Sequence, residues 1–172
     1  MNGPRFEAMV ASHHGEIYRY LLRMTRRASD ADDLSQETFL RAFRAYRKLP
    51  EGANARAWLF AIATNLTKNH FRSQKRRRRA LEAAARAPSN GTGPPDEAVG
   101  KEVSAMVDDV VGALPLKQRT AFVQRKIHGM DYDAIGRSLD CSAESARAHV
   151  FQALRKIRLA LDGEARPGRR SR

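Results

Sequence analysis

Apolar residues recur at spacings of three and four along the N-terminal part of the chain, which is the period of an amphipathic helix. The first predicted helix has an apolar stripe formed by Phe6, Met9, Val10, His13, Ile17, Tyr20, Leu21 and Met24. The second, for which Ser29 is the expected N-cap, carries Leu34, Phe39, Leu40, Ala42, Phe43 and Tyr46. A turn at residues 49–52 and a cap at Asn54 predict a third helix, with an inner face formed by Trp58, Leu59, Ile62, Ala63 and Leu66. No run alternates with period two, so the pattern predicts no sheet.

The helical period returns after residue 98, where the first predicted helix carries Val99, Val103, Met106, Val107, Val110 and Val111. Pro115 suits the first turn of the next helix, which ends at His128 and Gly129. A short helix follows, with a face formed by Tyr132, Ile135 and Leu139. A longer one has the inward positions Ala146, Val150, Leu154, Ile157 and Leu161. Asp140 tolerates the left-handed conformation that the turn between them needs, and Ser142 is a good N-cap, so this is a helix-turn-helix pattern.

Between the two helical regions, residues 88–95 read PSNGTGPP and carry no apolar period. Proline and glycine interrupt regular structure, so we interpret this stretch as part of a linker. The sequence therefore predicts an all-α chain of two small helical domains, 1–80 and 99–163. A flexible linker at 81–98 joins them, and a disordered basic tail at 164–172 follows.

The charge of the chain adds a partner to this picture. There are 32 Lys and Arg residues against 19 Asp and Glu residues, a net charge of +13. Residues 1–80 hold +10 of it and residues 99–163 only +2. Because neutralising phosphates releases counterions and drives association, a polyanionic partner is the first hypothesis. A basic protein that is merely soluble is the alternative.

Nothing in the sequence indicates membrane insertion or secretion. No segment approaches 18 consecutive apolar residues, and the N-terminus lacks the apolar core of a signal peptide. The single cysteine, Cys141, permits no internal disulfide and no cysteine-based zinc site. We therefore expect a cytoplasmic protein.

Two polar helix faces are candidates for contact with nucleic acid. The second helix of the helix-turn-helix presents outward Ser142, Glu144, Ser145, Arg147, Ala148, His149, Gln152 and Arg155, which suit base edges and phosphates in a major groove. The third helix carries a stripe formed by Asn65, Lys68, Arg72, Lys75 and Arg76, and then the run 75–79, KRRRR. Such a stripe can follow phosphates and bond to exposed bases. An ordinary helical hairpin and a solvated or membrane-surface patch are the respective alternatives.

The segment 30–37, DADDLSQE, is an acidic island within a strongly basic region. Clustered carboxylates could bind a divalent metal, as in a nuclease. Asp32 and Asp33 also lie where the first turn of a helix favours acid, and an acidic patch could dock a basic protein surface. The histidines form no ligand set and no catalytic triad or phosphate-binding glycine loop stands out, so we expect no enzyme, no metal and no cofactor.

Three motifs, in order along the chain, resemble those of the extracytoplasmic-function sigma factors, the smallest bacterial initiation factors. Residues 32–39, DDLSQETF, are similar to the family's polymerase-binding motif. Residues 57–65, AWLFAIATN, are similar to its helix that recognises the −10 element, and residues 114–119, LPLKQR, to the start of its second conserved domain. The resemblance covers about residues 5–80 and 99–161. It implies a region 2-like domain and a region 4-like helix-turn-helix domain.

The family implies a role for each domain. The residues that would bind the β′ clamp helices of the polymerase are Asp33, Leu34, Gln36, Glu37 and Leu40. The turn 49–54 would hold a flipped base, and the −10 contacts would be Asn54, Asn65, Lys68, Asn69, Arg72 and Arg76. The second domain would touch the β flap and read the −35 element with Ser142, Glu144, Ser145, Arg147, His149, Gln152 and Arg155. Such a factor directs promoter recognition and strand opening for a stress- or signal-responsive regulon, and an anti-sigma factor is an expected partner.

The sequence departs from the family's pattern at four positions. Asn69 stands where Asp is frequent, Gly136 where Ala is usual, Asp140 in place of the turn glycine and Ala146 in place of Val. A helical glycine costs roughly 1 kcal/mol of helix preference against alanine, so we expect altered promoter choice or local stability. Two other functions remain open at this point: a stand-alone helix-turn-helix regulator, and a metal nuclease that uses the acidic island.

Overall fold

The computed structural model describes residues 3–85 and 102–164, and the chain divides into two compact units, Met1–Glu97 and Ala98–Arg172. In unit one the helices are α1 (Gly3–Thr25), α2 (Ala28–Ala45) and α3 (Ala55–Ala84), with a 3-10 turn at Tyr46–Lys48. In unit two they are α4 (Glu102–Ala113), α5 (Leu116–Phe122), α6 (Tyr132–Leu139) and α7 (Ala143–Glu164), with a π turn at Val123–Ile127. No strand occurs in these ranges, and the all-α prediction is confirmed. Val99, most of the predicted linker and nearly all of the tail lie outside the described residues.

The core of unit one is formed where α1, α2 and α3 pack on one another. From α1 the predicted stripe buries Met9, Ile17, Tyr20, Leu21 and Met24. The α3 face is broader than predicted, because Phe60, Thr64 and Thr67 are also buried. The Tyr20 hydroxyl and Thr64 Oγ1 share a hydrogen bond of 2.9 Å inside this core. Apolar periodicity does not reveal such polar core positions.

Two N-caps were predicted in unit one, Asn54 for α3 and Ser29 for α2. Asn54 Oδ1 accepts a hydrogen bond of 2.9 Å from the backbone N–H of Ala57, so this cap of α3 is confirmed. The predicted Ser29 cap is wrong. Arg26 adopts a left-handed conformation (φ 59°) at the end of α1, and extended Arg27 is the N-cap of α2, with no side-chain cap. The chain re-enters the helix at Ala28, which leaves Ser29 inside the first turn.

The core of unit two corrects one predicted position on α7. Ala146, Val150, Ala153 and Ile157 are buried, whereas Leu154 is 40% exposed. The predicted inward position of Leu154 is therefore wrong. The buried residues follow spacings of four, three and four, and on that stripe Ala153 takes the place expected for Leu154.

The helix-turn-helix forms as predicted, with an unusually close turn. Asp140 is left-handed (φ 55°), and Ser142 Oγ caps α7 by accepting from the Ser145 N–H at 3.1 Å. The Cys141 N–H donates to the Gly136 carbonyl at 2.9 Å. A Cβ on Gly136 would lie 2.7 Å from the Cys141 carbonyl oxygen. Gly136 is therefore a requirement of the turn here, and the expectation that it only weakens α6 is incomplete.

Candidate nucleic-acid and protein interfaces

The outward side of α2 combines acidic, amide and apolar groups. Asp33 and Gln36 are exposed, and Glu37 Oε1 accepts from Arg41 Nε at 2.6 Å. Leu40 is 44% and Phe43 is 60% exposed. We call this surface the α2 face; it consists of Asp33, Gln36, Glu37, Leu40 and Phe43. Exposed large apolar side chains beside polar groups are typical of a protein-docking surface.

Two residues of α2 differ from the expected docking set. Leu34 was expected on the docking surface, but its side chain is only 9% exposed and packs into the core, which leaves little area for a partner. Phe43 was expected only as part of the apolar stripe. Its ring packs edge-on against Phe6, with centroids 5.2 Å apart, and remains exposed. Apolar spacing alone did not show that Leu34 is buried and Phe43 is exposed.

The acidic island is divided between two environments. Asp30 turns toward α3, where its Oδ2 lies 3.5 Å from His70 Nε2, and Arg27 Nε is 3.9 Å from the same oxygen. Asp32 and Asp33 face solvent. Across residues 3–85 and 102–164, no three His, Cys, Asp or Glu side chains are grouped so that they could hold a metal ion. Within these residues the metal-nuclease hypothesis has no site to support it.

A polar stripe runs along α3 opposite its buried face. We call it the α3 stripe; it consists of Asn65, Lys68, Asn69, Arg72 and Arg76. Lys68 is half-buried and the other four are exposed. The helix continues to Ala84, and all of its residues from Arg72 onward are exposed. The basic run 75–79 thus lies on a helical extension that reaches beyond the bundle core.

The turn before α3 borders a cavity of about 480 Å³ in unit one. The turn is closed by a hydrogen bond of 3.1 Å from the Ala53 N–H to the Pro50 carbonyl, and Gly52 has a φ of 78°. Across the cavity the start of α1 contributes Arg5, whose Nη1 is 3.5 Å from Glu51 Oε1. The lining therefore combines the Arg5–Glu51 ion pair and Arg47 with apolar residues. Asn54 adjoins this turn, and its side-chain oxygen is engaged in the cap.

A paired charge holds the start of α3 against α1. Glu16 receives two hydrogen bonds from Arg56, one of 2.9 Å from Nε and one of 2.5 Å from Nη2. The hydrogen bond to Glu16 raises the pKa of Arg56, so the guanidinium stays charged. This bidentate pair ties the turn and the cavity to the body of unit one.

In unit two, the outward side of α7 carries the predicted recognition positions. We call it the α7 face; it consists of Ser142, Glu144, Ser145, Arg147, His149, Gln152 and Arg155. All are exposed except His149, which is half-buried. Gln152 Oε1 accepts from Gln118 Nε2 at 2.8 Å, which links the face to α5. Burial and, to a smaller extent, Lys117 lower the pKa of His149.

An aromatic residue of α6 joins two arginines from different elements. The guanidinium carbon of Arg147 lies over the Tyr132 ring, 4.9 Å from its centroid. That of Arg125, in the π turn, lies over the same ring at 4.7 Å. We call these three residues the Tyr132 cluster. The sequence placed Tyr132 on an apolar helix face and did not connect it with Arg125, because no local pattern links residues so far apart in the chain.

No helix within residues 3–85 and 102–164 has an apolar stretch long enough to cross a membrane.

Two family descriptions match the chain, one in each unit. Sigma-70 region 2 matches residues 9–77, and Sigma-70, region 4 matches residues 104–157. The first match includes the α2 face, the turn and the α3 stripe. The second includes α6, the part of α7 up to residue 157 and the Tyr132 cluster.

Relatives extend these matches over nearly the whole chain. The Ferric citrate uptake sigma factor FecI of Escherichia coli is 31% identical over 150 residues, which cover 87% of this chain and 86% of FecI. The ECF RNA polymerase sigma factor SigC of Mycobacterium tuberculosis is 30% identical over 166 residues, which cover 96% and 86% of the two chains.

A solved structure has the same fold at lower identity. The sigma factor RpoE of Bartonella quintana, solved in complex with the anti-sigma factor NepR, superposes with a TM-score of 0.72. It is 20% identical, and the match covers 92% of this chain and 97% of RpoE.

The identity with FecI and SigC, over both halves of the chain, does not favour a stand-alone regulator. The chain belongs to the extracytoplasmic-function sigma factors, the RNA polymerase subunits that direct transcription initiation.

Proposed function

We propose that the three surfaces defined above divide the work of a sigma factor. The α2 face binds core RNA polymerase, the α3 stripe with the adjoining turn holds the melted −10 element, and the α7 face reads the −35 element. The observation that carries this proposal is the contrast within unit one. An acidic and apolar face on α2 and a basic stripe on α3 suit two partners of different chemistry.

The composition of the α2 face supports a protein partner. Leu40 and Phe43 supply exposed apolar area, and Gln36 and Glu37 supply polar groups on the preceding turn of α2. Aromatic and aliphatic anchors within a polar rim provide most of the affinity of protein interfaces. We assign the β′ clamp helices of the polymerase to this face, with Asp33 as a further contact and Leu34 as a core support for the helix.

The α3 stripe and the cavity support a melted strand. Amide and guanidinium groups can bond to exposed base edges and phosphates, and they project from a rigid helix whose opposite side is buried. The cavity, at about 480 Å³, lies within the range of small-ligand sites, about 300–1,000 Å³. We propose that it receives one flipped base. Asn54 then acts mainly by capping α3 and shaping the turn.

The α7 face supports reading of duplex DNA. In helix-turn-helix proteins the second helix enters the major groove and its N-terminal residues contact base edges. Ser142 is the N-cap of α7, and Ser145 and Arg147 lie in its first two turns. The β flap of the polymerase is then a further partner of unit two, because the sequence of this region carries a net charge of only +2.

Regulation and location complete the proposal. RpoE of Bartonella quintana was solved with an anti-sigma factor, and CnrH, at 23% identity and a TM-score of 0.70, with the cytosolic domain of CnrY. We propose an anti-sigma partner for this chain too. We propose that the sigma factor acts in the cytoplasm, directs transcription of a stress- or signal-responsive regulon, and contributes no catalytic group of its own.

Run-off transcription of genomic DNA with purified core polymerase tests the function directly. We expect new 5′ ends that require this chain, and we expect their upstream sequences to share a −10 and a −35 element. Core polymerase alone is the control. Unchanged 5′ ends on addition of the chain, or a footprint on duplex DNA without polymerase, would reject the proposal.

A further inference from the structure

The charged side chains that line the cavity in unit one are all exposed. The Arg5 side chain is 75% and the Glu51 side chain 90% exposed, and Arg5 Nη1 lies 3.5 Å from Glu51 Oε1. The less exposed lining residues are apolar or aromatic, and they include buried Met9 and half-buried Tyr46 and Leu49. The cavity therefore has an apolar interior and a charged mouth.

A flipped nucleotide has the same division of chemistry. Its base is neutral and packs on apolar and aromatic side chains, whereas its phosphate carries the charge and stays with the backbone outside the pocket. An arginine at the mouth suits that phosphate, because a guanidinium binds phosphate oxygens in bidentate form. Until a strand arrives, the carboxylate of Glu51 occupies the guanidinium of Arg5.

We propose that Arg5 is a further strand-binding residue of the −10 cavity, which exchanges Glu51 for the phosphate of the flipped nucleotide. An exposed ion pair contributes little to stability, so it costs little to open, and neutralising a phosphate releases counterions. This role of Arg5 rests on the proposed entry of a flipped base into the cavity. It adds a contact from the start of α1, outside the residues 9–77 that match Sigma-70 region 2.

Phe6 is the positioning residue for Arg5. Its ring packs edge-on against Phe43 and Tyr46, with centroid distances of 5.2 and 5.3 Å. Among the described side chains of α1, Met9 is the first that is buried, so the turn that carries Arg5 depends on these ring contacts for its place against α2. Because Tyr46 also lines the cavity, Phe6 holds its two walls together.

The test uses the full chain assembled with core polymerase. The probe is a labelled single strand with the −10 element of a promoter mapped by run-off transcription, and a second strand has that element scrambled. Dissociation constants are measured over a range of salt concentrations. Arg5→Gln should weaken binding of the −10 strand several-fold and reduce the slope of log Kd against log salt by about 0.7, the value for one phosphate of a single strand.

Glu51→Gln is expected to act in the opposite direction. It releases Arg5 and removes a carboxylate that repels the phosphate, so the −10 strand should bind several-fold more tightly. In the presence of Arg5→Gln the same change should have a smaller effect, because no guanidinium is left to release. Equal effects of Glu51→Gln in the two backgrounds would overturn the proposed exchange.

Two exposed residues of α1 that do not line the cavity provide matched controls, Arg19→Gln and Glu7→Gln. Each removes the same charge as its counterpart, and each should leave the affinity and the salt slope unchanged. An equal loss with Arg19→Gln, or an equal gain with Glu7→Gln, would show an effect of net charge alone and overturn the proposal.

The wild-type measurements separate this proposal from the function on which it rests. If the wild-type holoenzyme does not prefer the −10 strand to the scrambled strand, the proposed −10 function itself is rejected. If it does, and Arg5→Gln leaves the salt slope unchanged, only the role of Arg5 is rejected.

Variants of Phe6 test its positioning role separately. Phe6→Tyr keeps the ring and should bind the −10 strand as the wild type does. Phe6→Leu removes it and should weaken binding and lower the salt slope, but it should add little to Arg5→Gln. Additive losses, or wild-type binding by a folded Phe6→Leu, would contradict the role. If thermal unfolding shows that this variant is not folded, the Arg5→Gln slope decides.

Discussion

His149 illustrates how the setting of a single residue determines its charge. The imidazole lies half-buried on the α7 face, and burial, with the neighbouring Lys117 ammonium, lowers its pKa from the usual value of about 6.5. The residue is therefore neutral at pH 7. Its Nδ1 is buried without a hydrogen-bond partner, so Nε2 is the nitrogen left for contact with a base edge.

The depressed pKa of His149 predicts a pH dependence of stability. Between the folded pKa and about 6.5, the folded state binds fewer protons than the unfolded state, so the free energy of unfolding rises with pH. The contribution of His149 to that free energy is fully present above about pH 6.5. It is lost as the pH falls through the folded pKa. We expect His149→Gln to lose less thermal stability than the wild type between pH 7.5 and 5.5. Equal losses in both proteins would contradict this origin.

At the scale of an element, the helix-turn-helix depends on a close backbone approach. Two residues that depart from the family's pattern lie here. Gly136 is in the last turn of α6, and Asp140 is the residue that follows the helix. Gly136 allows the Cys141 carbonyl to approach to a distance that a Cβ would not tolerate. Asp140 adopts the left-handed conformation that glycine usually supplies at such a turn.

Gly136→Ala is therefore expected to destabilise the chain, although alanine is the better helix former. Helix propensity alone would favour alanine by about 1 kcal/mol. The backbone atoms around Gly136 must instead shift, and overpacking of this kind costs about 1–3 kcal/mol. Chemical denaturation measures the difference. Gly163→Ala is the control, because open space surrounds that position, and it should be neutral or stabilising. A stabilising Gly136→Ala would contradict the packing argument.

At the scale of the whole molecule, the two units divide the charge unequally. Residues 1–80 carry +10 and residues 99–163 carry +2. Unit one also bears the α2 face, so it offers a surface to a protein as well as to a nucleic acid. Because electrostatic attraction contributes much of DNA affinity, unit two is expected to depend on the polymerase to reach its site.

This division predicts that changes on the α2 face weaken polymerase binding while the fold stays intact. Gln36→Ala with Glu37→Ala should weaken binding to core polymerase about tenfold or more, the effect of losing roughly 1.4 kcal/mol at an interface. Fluorescence titration of labelled chain with core polymerase measures it. Glu82→Ala, which removes one exposed carboxylate elsewhere, is the control. Unaltered affinity in a folded double variant would remove the α2 face from the polymerase interface.

The converse change should spare polymerase binding and alter promoter choice. Arg147→Ala is expected to reduce transcription only from promoters with a matched −35 element. If the side chain contacts a base, the binding free energy lost on those promoters is roughly 1–3 kcal/mol. Comparing mapped promoters with and without that match measures it. An equal loss on both groups would argue against base reading by Arg147.

The sequence by itself determined the helices, the two-part organisation of the chain and most of the candidate surfaces. Apolar spacing and the capping residues Asn54 and Ser142 act within a few positions of each other, so they can be recognised along the chain. For the same reason the helix-turn-helix was predictable. The Ser29 cap failed because the left-handed Arg26, one turn earlier, set where α2 begins.

Only the tertiary structure decided which side chains of a helix remain accessible. It buried Leu34, exposed Phe43 and Leu154, and brought Arg125 and Arg147 to one ring. It also explained Gly136 by a backbone contact across the turn. These properties depend on atoms from other elements. A periodic pattern assigns a residue to a face, whereas burial and charge depend on what packs against that face.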